Sequence, residues 1–303
     1  MHIVITGGTG LIGRALSTDL AQDGHQVTIL SRDPARHALK PDQGVAVAAW
    51  DPANPGAWAE RLSGCDAVVN LAGAGVADAR WSAARKAVIR DSRVRAGRAL
   101  VAAIEQIGDR PRCLVQAVGA GYYGTRQSGP LTEEAPAGDD FLASVCRDWE
   151  DSTAAVESLG VRRVATRIGI VLSGEGGALP RMLLPFRCFV GGPLGSGRQP
   201  FPWIHIADVV GAIRFLIDRQ DTSGAYNLAA PEQLDNAAFS RALGRALHRP
   251  ALLPAPAPAL RLALGEMAMI LLEGQQVAPA RLLAAGYAFR FTHAQEALQD
   301  ILA

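Results

Sequence analysis

Glycines recur at every third position near the start of the chain, in a spacing that could hold the phosphates of a dinucleotide. Gly7, Gly10 and Gly13 follow the apolar run 3–5 and come directly before a helical stretch that starts at Leu11. One glycine of such a loop makes a tight turn, one lets the backbone approach a pyrophosphate, and one lets helix and strand pack closely. The pyrophosphate then meets the positive end of the helix. The order strand, loop, helix therefore predicts dinucleotide binding, with a ligand-free glycine turn as the alternative.

The residues at the end of the second strand indicate which dinucleotide would bind. NAD-binding versions of the loop carry Asp or Glu there, to hold the ribose 2′-hydroxyl. This chain has Ser31 and Arg32, followed by Asp33, Arg36 and His37. Because a guanidinium group pairs well with a 2′-phosphate, the sequence favours NADP over NAD. Asp33 keeps NAD open, and the arginines could instead be solvated loop charges.

Four side chains near the ends of later strands are candidates for catalysis. Tyr122 and Tyr123 follow the fifth strand, within reach of a nicotinamide, although packing and a local hydrogen bond would also explain them. Arg167 ends the sixth strand, where it would meet an anionic substrate or form a structural ion pair. His205 opens a helical segment and is either a functional group or a helix cap. The other histidines have no metal-ligand spacing, so no metal site is predicted.

Two further stretches could contact a ligand. Between positions 80 and 98 the chain has seven basic residues and one acidic residue. They form either a solvated helix face or, through Arg80, Lys86 and Arg93, a group that draws an anion toward the pocket. The glycine-rich stretch 191–199 is predicted to be a mobile cover over the substrate, with Arg198 as an anion contact, or else a plain connecting loop.

Strands that alternate with helices must position these residues. Apolar runs predict strands, and residues spaced for one-sided burial predict helices. The predicted strands cover 3–5, 26–30, 45–50, 66–71, 113–118, 163–168 and 226–228; the predicted helices cover 11–22, 81–107, 139–159 and 206–217, with a helical tail from 260. Asp139 or Asp140 is predicted to cap the third helix. This alternation predicts an α/β fold with a doubly wound parallel sheet, while the stretch 173–202 is rich in glycine and proline.

Composition excludes several classes of protein. Of the 303 residues, 49% are hydrophobic and 19% charged, which is typical of a globular chain and not of disorder. A net charge of +1 excludes the large basic excess that a nucleic-acid tract would need. Four scattered cysteines indicate neither a disulfide framework nor a zinc site. Because no signal-peptide pattern or apolar stretch of about 20 residues is present, we expect a cytoplasmic protein with no membrane or nucleic-acid partner.

Several motifs, taken together with the glycine loop, carry a family resemblance. They are Asn70-Leu71-Ala72-Gly73, Arg80-Trp81, Ser92-Arg93, Gly121-Tyr122-Tyr123-Gly124, Arg147-Asp148-Trp149-Glu150, RIGIVL at 167–172, GPLGSGRQ at 192–199 and WIHIADVV at 203–210. With them, nearly the whole chain resembles the short-chain dehydrogenase/reductase superfamily. It is most similar to an atypical branch of the extended, epimerase-type members, the epimerase family proteins of unknown substrate.

This resemblance implies a fold, a domain organisation and a cofactor site. The fold would be a Rossmann-type, doubly wound parallel sheet with a smaller C-terminal substrate lobe. Residues 1–169 plus about 203–228 would bind the dinucleotide, and about 170–202 plus 229–303 would form the lobe. The residues implied to face NADP, running from the pyrophosphate to the 2′-phosphate, the adenine and the nicotinamide side, are Gly7, Thr9, Gly10, Leu11, Ile12, Gly13, Ser31, Arg32, Asp51, Leu71, Ala72 and Gly73. A small-molecule substrate and a monomer or homodimer are also implied.

The chain departs from the superfamily at the residues that transfer a proton. Catalytic members use a Tyr and a Lys four residues apart, because the lysine lowers the pKa of the phenol that exchanges a proton with the substrate. Phe141 and Val145 occupy those positions here, and Val118-Gly119-Ala120 replaces the usual Ser or Thr. One possible function is an NADP-dependent oxidoreductase or epimerase that acts on a small anionic or nucleotide-linked molecule, with a non-standard acid such as Tyr123.

Two non-catalytic functions stay open beside the enzyme. In the first, the chain binds NADP without turnover, as a redox sensor or scaffold. In the second, the chain is an RNA-bound regulator; the near-zero net charge argues against this function.

Overall fold

The described part of the chain forms nine strands and ten α-helices. The computed structural model describes residues 1–37, 44–53, 56–125 and 129–303. The strands are β1 (His2–Thr6), β2 (Gln26–Ser31), β3 (Val45–Ala49), β4 (Ala67–Asn70), β5 (Cys113–Gly119), β6 (Arg162–Ile168), β7 (Ile170–Leu172), β8 (Trp203–His205) and β9 (Gly224–Leu228). The α-helices are α1 (Leu11–Gln22), α2 (Ala83–Gln106), α3 (Phe141–Asp151), α4 (Leu179–Arg187), α5 (Ile206–Asp218), α6 (Asn236–Leu247), α7 (Ala257–Leu264), α8 (Met269–Leu272), α9 (Ala280–Ala284) and α10 (Ala294–Leu302).

Seven of these strands form one parallel sheet, in the order β3-β2-β1-β4-β5-β6-β9. Strands β7 and β8 pair with each other in a separate parallel sheet. The parallel sheet and its flanking helices confirm the predicted α/β, doubly wound fold. In the described ranges, no helix combines the length and the apolar character that crossing a membrane requires.

Alternate residues of β1 show why the sheet has helices on both faces. Ile3 and Ile5 pack into a core that includes Leu16 of α1 and residues of α5. Val4 points to the other face and packs in a second core with Leu100 of α2. All five side chains are fully buried, as expected for a strand covered on both sides.

A third hydrophobic core lies outside the main sheet. It joins β7, β8, α4, α6 and α10, and at its centre the rings of Phe201 and Phe239 stack with centroids 4.1 Å apart. Most of its residues come from the stretches predicted to form the substrate lobe. The division of the chain into two domains stays a prediction.

Some elements differ from those predicted. The helix predicted over 139–159 ends at Asp151 and continues as a 3₁₀ turn over Ala154–Leu159. Asp140 caps its start, because its carboxylate accepts the backbone N–H of Ala143 at 2.9 Å. Helix α4 was not predicted, since Pro180 and Pro185 within it broke the helical pattern.

Candidate functional site

The carboxyl ends of β1 and β4 form the crevice at which the strand order of the sheet reverses. β1 pairs with β2 on one side and with β4 on the other. Ligands of open α/β sheets bind at such a reversal. The structure brings the glycine loop after β1 against Leu71 after β4, since a Cβ at Gly7 would lie 2.6 Å from the Leu71 carbonyl oxygen. Gly7 also has a φ of +67°, a left-handed conformation that favours glycine.

Gly10 and Gly13 serve different purposes in the loop. At Gly13 a Cβ would lie 2.4 Å from the Gly7 carbonyl oxygen, so this glycine lets α1 pack against the loop. At Gly10 a Cβ would meet only that same oxygen, at 3.3 Å, and the remaining space is open. Tight turn, open backbone and close packing are the three properties that a pyrophosphate-binding loop requires, so the residues fit a dinucleotide.

Helix α1 directs its positive end at the crevice. Its N-cap is Gly10, which has no side chain to cap the first amides, and its first turn contains no acidic residue. The N–H groups of Leu11, Ile12 and Gly13 are thus available to an anion. Thr9 precedes the cap, and its carbonyl oxygen accepts a hydrogen bond from Arg14 at 3.1 Å.

Residues after β2 and β3 lie along the same edge of the sheet. Ser31 is buried and its hydroxyl accepts the backbone N–H of Asp33 at 3.2 Å, which forms a tight turn. Arg32 is exposed beside it. Asp51, after β3, accepts the N–H of Ala53 at 2.8 Å. The side chains of Arg36 and His37 lie outside the described part of the structure.

A buried polar ladder, which sequence reasoning missed, fixes the strand ends. The Thr6 hydroxyl of β1 donates to the side-chain oxygen Oδ1 of Asn70 in β4 at 2.6 Å. Asn70 in turn donates its amide to the Gln116 oxygen of β5 at 2.8 Å. All three side chains are fully buried. The available signal was the presence of polar residues at inward positions of otherwise apolar strands.

Arg93 of α2 lies behind the loop that follows β4. Its guanidinium carbon Cζ would be 3.0 Å from a Cβ at Gly73, and it donates to the carbonyl oxygens of Ala74 and Ile89 at 2.8 and 2.9 Å. The guanidinium also stacks over the Trp149 ring, 4.7 Å from its centroid. Burial lowers the pKa of Arg93. Among the described residues no carboxylate forms an ion pair with Arg93, so its charge is met by these two carbonyl oxygens and by the Trp149 ring.

Lys86 of α2 contacts aromatic rings at and beside the start of α3. The Lys86 ammonium lies 4.9 Å from the centre of the Phe141 ring and 5.9 Å from that of Trp81, and it pairs with Glu266. Phe141 and Trp81 meet edge to face at 5.0 Å. The Phe141 ring, at the position where the resemblance implies a tyrosine, is thus in contact with a lysine from another helix.

Two of the catalytic candidates are engaged within the protein. Tyr123 is fully buried; its hydroxyl donates to the Asn227 side-chain oxygen at 2.6 Å and accepts from Arg167 at 3.0 Å. Burial raises the pKa of this phenol. Arg167 makes two hydrogen bonds of 3.1 Å to the Glu150 carboxylate. These contacts favour the structural alternative for Tyr123 and for Arg167.

Tyr122 is the only one of the four candidates that keeps part of its side chain exposed. Its ring lies under the Arg167 guanidinium, 3.5 Å from centroid to Cζ, and meets the Tyr123 ring edge to face at 5.3 Å. Both tyrosines belong to a 3₁₀ turn directly after β5. Because the carboxyl end of β5 borders the crevice, Tyr122 is the phenol best placed to meet a ligand.

His205 lies in a different environment from the other three candidates. It is 4% exposed, and its Nδ1 accepts the backbone N–H of Ala207 at 3.0 Å, so it caps α5. Its Nε2 lies 3.3 Å from a carboxylate oxygen of Asp300 in α10, and its ring is 4.1 Å from that of Phe291. Burial lowers the pKa of His205. These contacts favour the helix-cap alternative.

The stretch 191–199 is anchored, in contrast to the predicted mobile cover. The Gln199 side-chain amide donates to the carbonyl oxygens of Leu194 and Leu271 at 3.0 and 2.7 Å. The backbone N–H of Leu194 is held by Asn236 at 2.7 Å. The glycines here permit close packing, since a Cβ at Gly192 would lie 2.3 Å from the backbone of Leu253. Arg198 points to solvent.

Comparisons with known proteins agree with this geometry. Residues 3–146 match the model of the NAD dependent epimerase/dehydratase family, and residues 255–301 match a domain of unknown function, DUF1731. The epimerase family protein SDR39U1 of Bos taurus is 39% identical over 308 residues, which covers 100% of both chains. The crystal structure of the human epimerase family protein SDR39U1 (isoform 2) with NADPH is 35% identical, has a TM-score of 0.86, and is matched over 100% of this chain and 99% of that chain.

More distant enzymes share the fold alone. The UDP-N-acetylglucosamine 4-epimerase of Bacillus cereus is 16% identical, with a TM-score of 0.78 over 100% of this chain and 98% of that chain.

Proposed function

We propose an NADPH-binding function for this chain, which belongs to the epimerase family proteins of the short-chain dehydrogenase/reductase superfamily. The glycine loop is the observation that carries the proposal, because Gly7, Gly10 and Gly13 each meet one of the three requirements of a pyrophosphate site. A human relative 35% identical to this chain was solved with NADPH, which supports the same cofactor here. The bound cofactor would supply or accept a hydride, and the chain would bind and orient it.

The preference for NADPH over NADH rests on the end of β2. Arg32 is exposed directly after the strand, at the position where NAD-binding relatives carry an acid. The backbone of Asp33, the nearest acid, is held in a turn by Ser31. A guanidinium at this position favours the extra phosphate of NADPH.

A titration with NADPH and NADH tests this proposal. We expect NADPH to bind far more tightly than NADH to the wild-type chain, and Arg32→Ala to remove most of that difference. Arg61→Ala, at another exposed arginine, is the matched control and should bind both cofactors as wild type does. If neither cofactor binds the wild-type chain, the proposal is wrong. If Arg32→Ala weakens both cofactors equally, only the 2′-phosphate assignment is wrong.

We further propose that the chain acts on a small anionic or nucleotide-linked substrate, as an oxidoreductase or epimerase. Arg93 and Lys86 supply positive charge beside the nicotinamide side of the crevice. The proposed substrate lobe, about 170–202 plus 229–303, meets the dinucleotide-binding residues 1–169 plus about 203–228 next to these cations. Lys86 pairs with Glu266, and Arg181 donates to the Ala77 carbonyl oxygen at 3.1 Å. An anionic substrate bound between the proposed lobe and the dinucleotide-binding residues would therefore replace these polar contacts or add to them.

In such a reaction Tyr122 would hold or give the proton. It is the half-buried phenol at the end of β5, whereas the hydroxyl of Tyr123 is already engaged by Asn227 and Arg167. In catalytic members of the superfamily a tyrosine on the helix that corresponds to α3 has this task, and Phe141 stands there instead.

The second candidate function is NADPH binding without turnover. The apolar pair Phe141 and Val145 favours it, because no proton donor stands at the usual place. Transfer of deuterium from 4-deuterated NADPH to a panel of nucleotide-linked and carboxylated carbonyl compounds distinguishes the two. If deuterium appears in a product with the wild-type chain and not with Tyr122→Phe, the result supports the enzyme. Tight NADPH binding without deuterium transfer to any of the compounds supports the sensor or scaffold.

A further inference from the structure

Two stretches of the chain contain arginine but no acidic residue. Neither Asp nor Glu occurs in 176–207 or in 236–265. Their exposed arginines are Arg181, Arg187, Arg198, Arg241, Arg245, Arg249 and Arg261. The whole chain has 30 Lys+Arg and 29 Asp+Glu, so the remaining residues carry a net negative charge. The near-neutral total thus conceals a strong separation of charge.

The same two stretches expose most of the large apolar side chains at the surface. Among the described residues nine such side chains are exposed, and six of them lie in these stretches: Leu184, Phe189, Val190, Leu252, Leu253 and Leu262. Leu252 is 79% exposed and Phe189 is 58% exposed. Exposed apolar side chains that cluster in this way mark an interaction surface.

Helices α4 and α6 bring the charged and apolar side chains together. The Arg249 guanidinium lies over the Phe189 ring, 4.5 Å from Cζ to centroid. The backbone N–H of Leu253 donates to the Gly191 carbonyl oxygen at 3.2 Å, which ties the residues after α6 to those after α4. A groove of about 660 Å³ runs beside them, lined by Arg241, Arg245 and Leu252 among others. We call this the arginine–leucine surface: residues 184–190 and 241–253.

The backbone of this surface is strained at two positions. In the described part of the chain, the only non-glycine residues with positive φ are Phe189, at +61°, and His248, at +54°. They end α4 and α6, where a left-handed residue is usually glycine. Such strain is typical of functional sites. At Phe189 it keeps an aromatic ring on the outside of the molecule.

We propose that the arginine–leucine surface docks on a membrane that contains anionic phospholipid. The guanidinium groups would pair with lipid phosphates, and Leu252, Leu253 and Phe189 would enter the boundary between headgroups and acyl chains. Long arginine side chains suit this boundary, because their stems cover apolar surface while their charges stay in water. Since no described helix is long and apolar enough to span a bilayer, the contact is one of the surface only.

Other occupants fit the surface less well. A second copy of the chain would bring two sets of arginines together, which repel each other. A nucleic acid would satisfy the arginines but would leave Leu252 and Leu253 against a polar backbone. An anionic membrane offers phosphates to the arginines and an apolar boundary to the leucines. The proposal does not depend on the proposed cofactor site.

Vesicle flotation of the full chain tests the proposal. We expect binding to vesicles with about a third phosphatidylglycerol, at least about tenfold weaker binding to pure phosphatidylcholine, and a further loss as salt is raised. Leu252→Asp should weaken binding about tenfold, whereas Leu283→Asp, at an exposed leucine of α9, should not. Charge reversal of Arg241 and Arg249 to Glu should abolish binding, whereas the same change at Arg61 and Arg98 should not.

Cys188 provides a reporter within the surface. It is the exposed cysteine, whereas Cys65, Cys113 and Cys146 are buried, and burial raises the pKa of Cys65 to about 12 and the pKa values of the other two to about 11. A maleimide carrying an environment-sensitive dye should therefore label Cys188 alone. Its emission should shift to the blue on addition of anionic vesicles.

Three outcomes would overturn the proposal. The first is that the wild-type chain does not float with anionic vesicles. The second is that it floats, but the Leu252→Asp and Leu283→Asp variants float equally well. The third is that polyglutamate or duplex DNA binds more tightly than the vesicles and displaces them. Circular dichroism of every variant confirms that it is folded. NADPH titration of the same variants shows whether a loss is confined to this surface.

Discussion

Lys86 places its ammonium group 4.9 Å from the centre of the Phe141 ring. The chain has only two lysines, Lys40 and Lys86, so a contact between a lysine and this ring is not expected from the number of lysines alone. The lysine of the superfamily's Tyr-x-x-x-Lys pair would lie on α3, at Val145, but here a lysine reaches the same ring position from α2. The position at which the resemblance implies a phenol therefore has a cation beside it.

Phe141→Tyr should create a phenol with a lowered pKa. A positive charge within about 5 Å favours the phenolate, while the Glu266 carboxylate that pairs with Lys86 offsets part of this effect, so we expect the pKa of the new hydroxyl to lie below the usual value of about 10. Absorbance of tyrosinate against pH measures it as one additional titrating group. The double variant Phe141→Tyr, Lys86→Met is the control, and it should return the pKa to the usual value or above. An unchanged pKa in both variants would show that the Lys86 ammonium does not act on this position.

Substitution of two glycines should separate cofactor binding from stability. Gly10→Ala adds a Cβ into open space where the pyrophosphate would lie, so it should abolish NADPH binding and cost less than about 1 kcal/mol of stability. Gly13→Ala forces a Cβ to within 2.4 Å of the Gly7 carbonyl oxygen, and it should cost about 1–3 kcal/mol. Calorimetric titration and urea unfolding measure the two effects. NADPH binding to Gly10→Ala at wild-type affinity would contradict the assignment of the loop.

The glycine loop shows how far the sequence alone could go. The apolar run before it and the burial pattern after it are local, so the start of the fold and the bounds of α1 were predictable from adjacent residues. The similarity to known proteins confirms the resemblance, and the seven-stranded parallel sheet confirms the α/β fold. Contacts between distant residues were not predictable: Arg167 meets Glu150 and Tyr123 only once β5, β6 and α3 are assembled. A burial pattern specifies that a residue lies inside, but not which polar partner it finds there.

The arginine–leucine surface was hidden from sequence analysis for a different reason. Net charge is a sum over the chain, and the acidic residues elsewhere cancel these arginines. Helix α4 was also missed, because Pro180 and Pro185 interrupt its pattern, and the surface depends on that helix. Net charge counted separately for each stretch of the sequence would have shown the two arginine-containing stretches without acidic residues.

The two adjacent tyrosines should respond differently to loss of the hydroxyl. Tyr123→Phe removes one hydrogen bond from the side-chain oxygen of buried Asn227 and one from Arg167, so we expect a loss of about 1–3 kcal/mol of stability and unchanged NADPH binding. Tyr122→Phe should change stability by less than about 0.5 kcal/mol, as is usual away from buried networks. Urea unfolding of both variants tests this. Equal losses of stability would show that the hydroxyl of Tyr122 also has a structural role.

Breaking the buried ion pair should be more costly than either tyrosine change. Arg167 is 4% exposed and binds both carboxylate oxygens of Glu150, so Glu150→Gln leaves an uncompensated buried guanidinium. We expect a loss of about 3–5 kcal/mol. Glu157→Gln, at an exposed carboxylate that pairs with Arg163, is the matched control and should cost less than about 1 kcal/mol. A small effect at Glu150 would mean that Arg167 finds another partner or water.

His205 should make the free energy of unfolding depend on pH. Burial lowers the pKa of His205 in the folded chain below its usual value, so the unfolded chain binds a proton first as pH falls. Stability should therefore fall below about pH 6.5 until the folded state also titrates. His205→Asn keeps a side-chain acceptor for the Ala207 N–H but cannot titrate, so it should lose less stability between about pH 7.5 and 5.5. His2, whose pKa burial also lowers, is present in both chains and cancels in the comparison. Equal losses would show that the nearby Asp300 carboxylate offsets the burial of the ring.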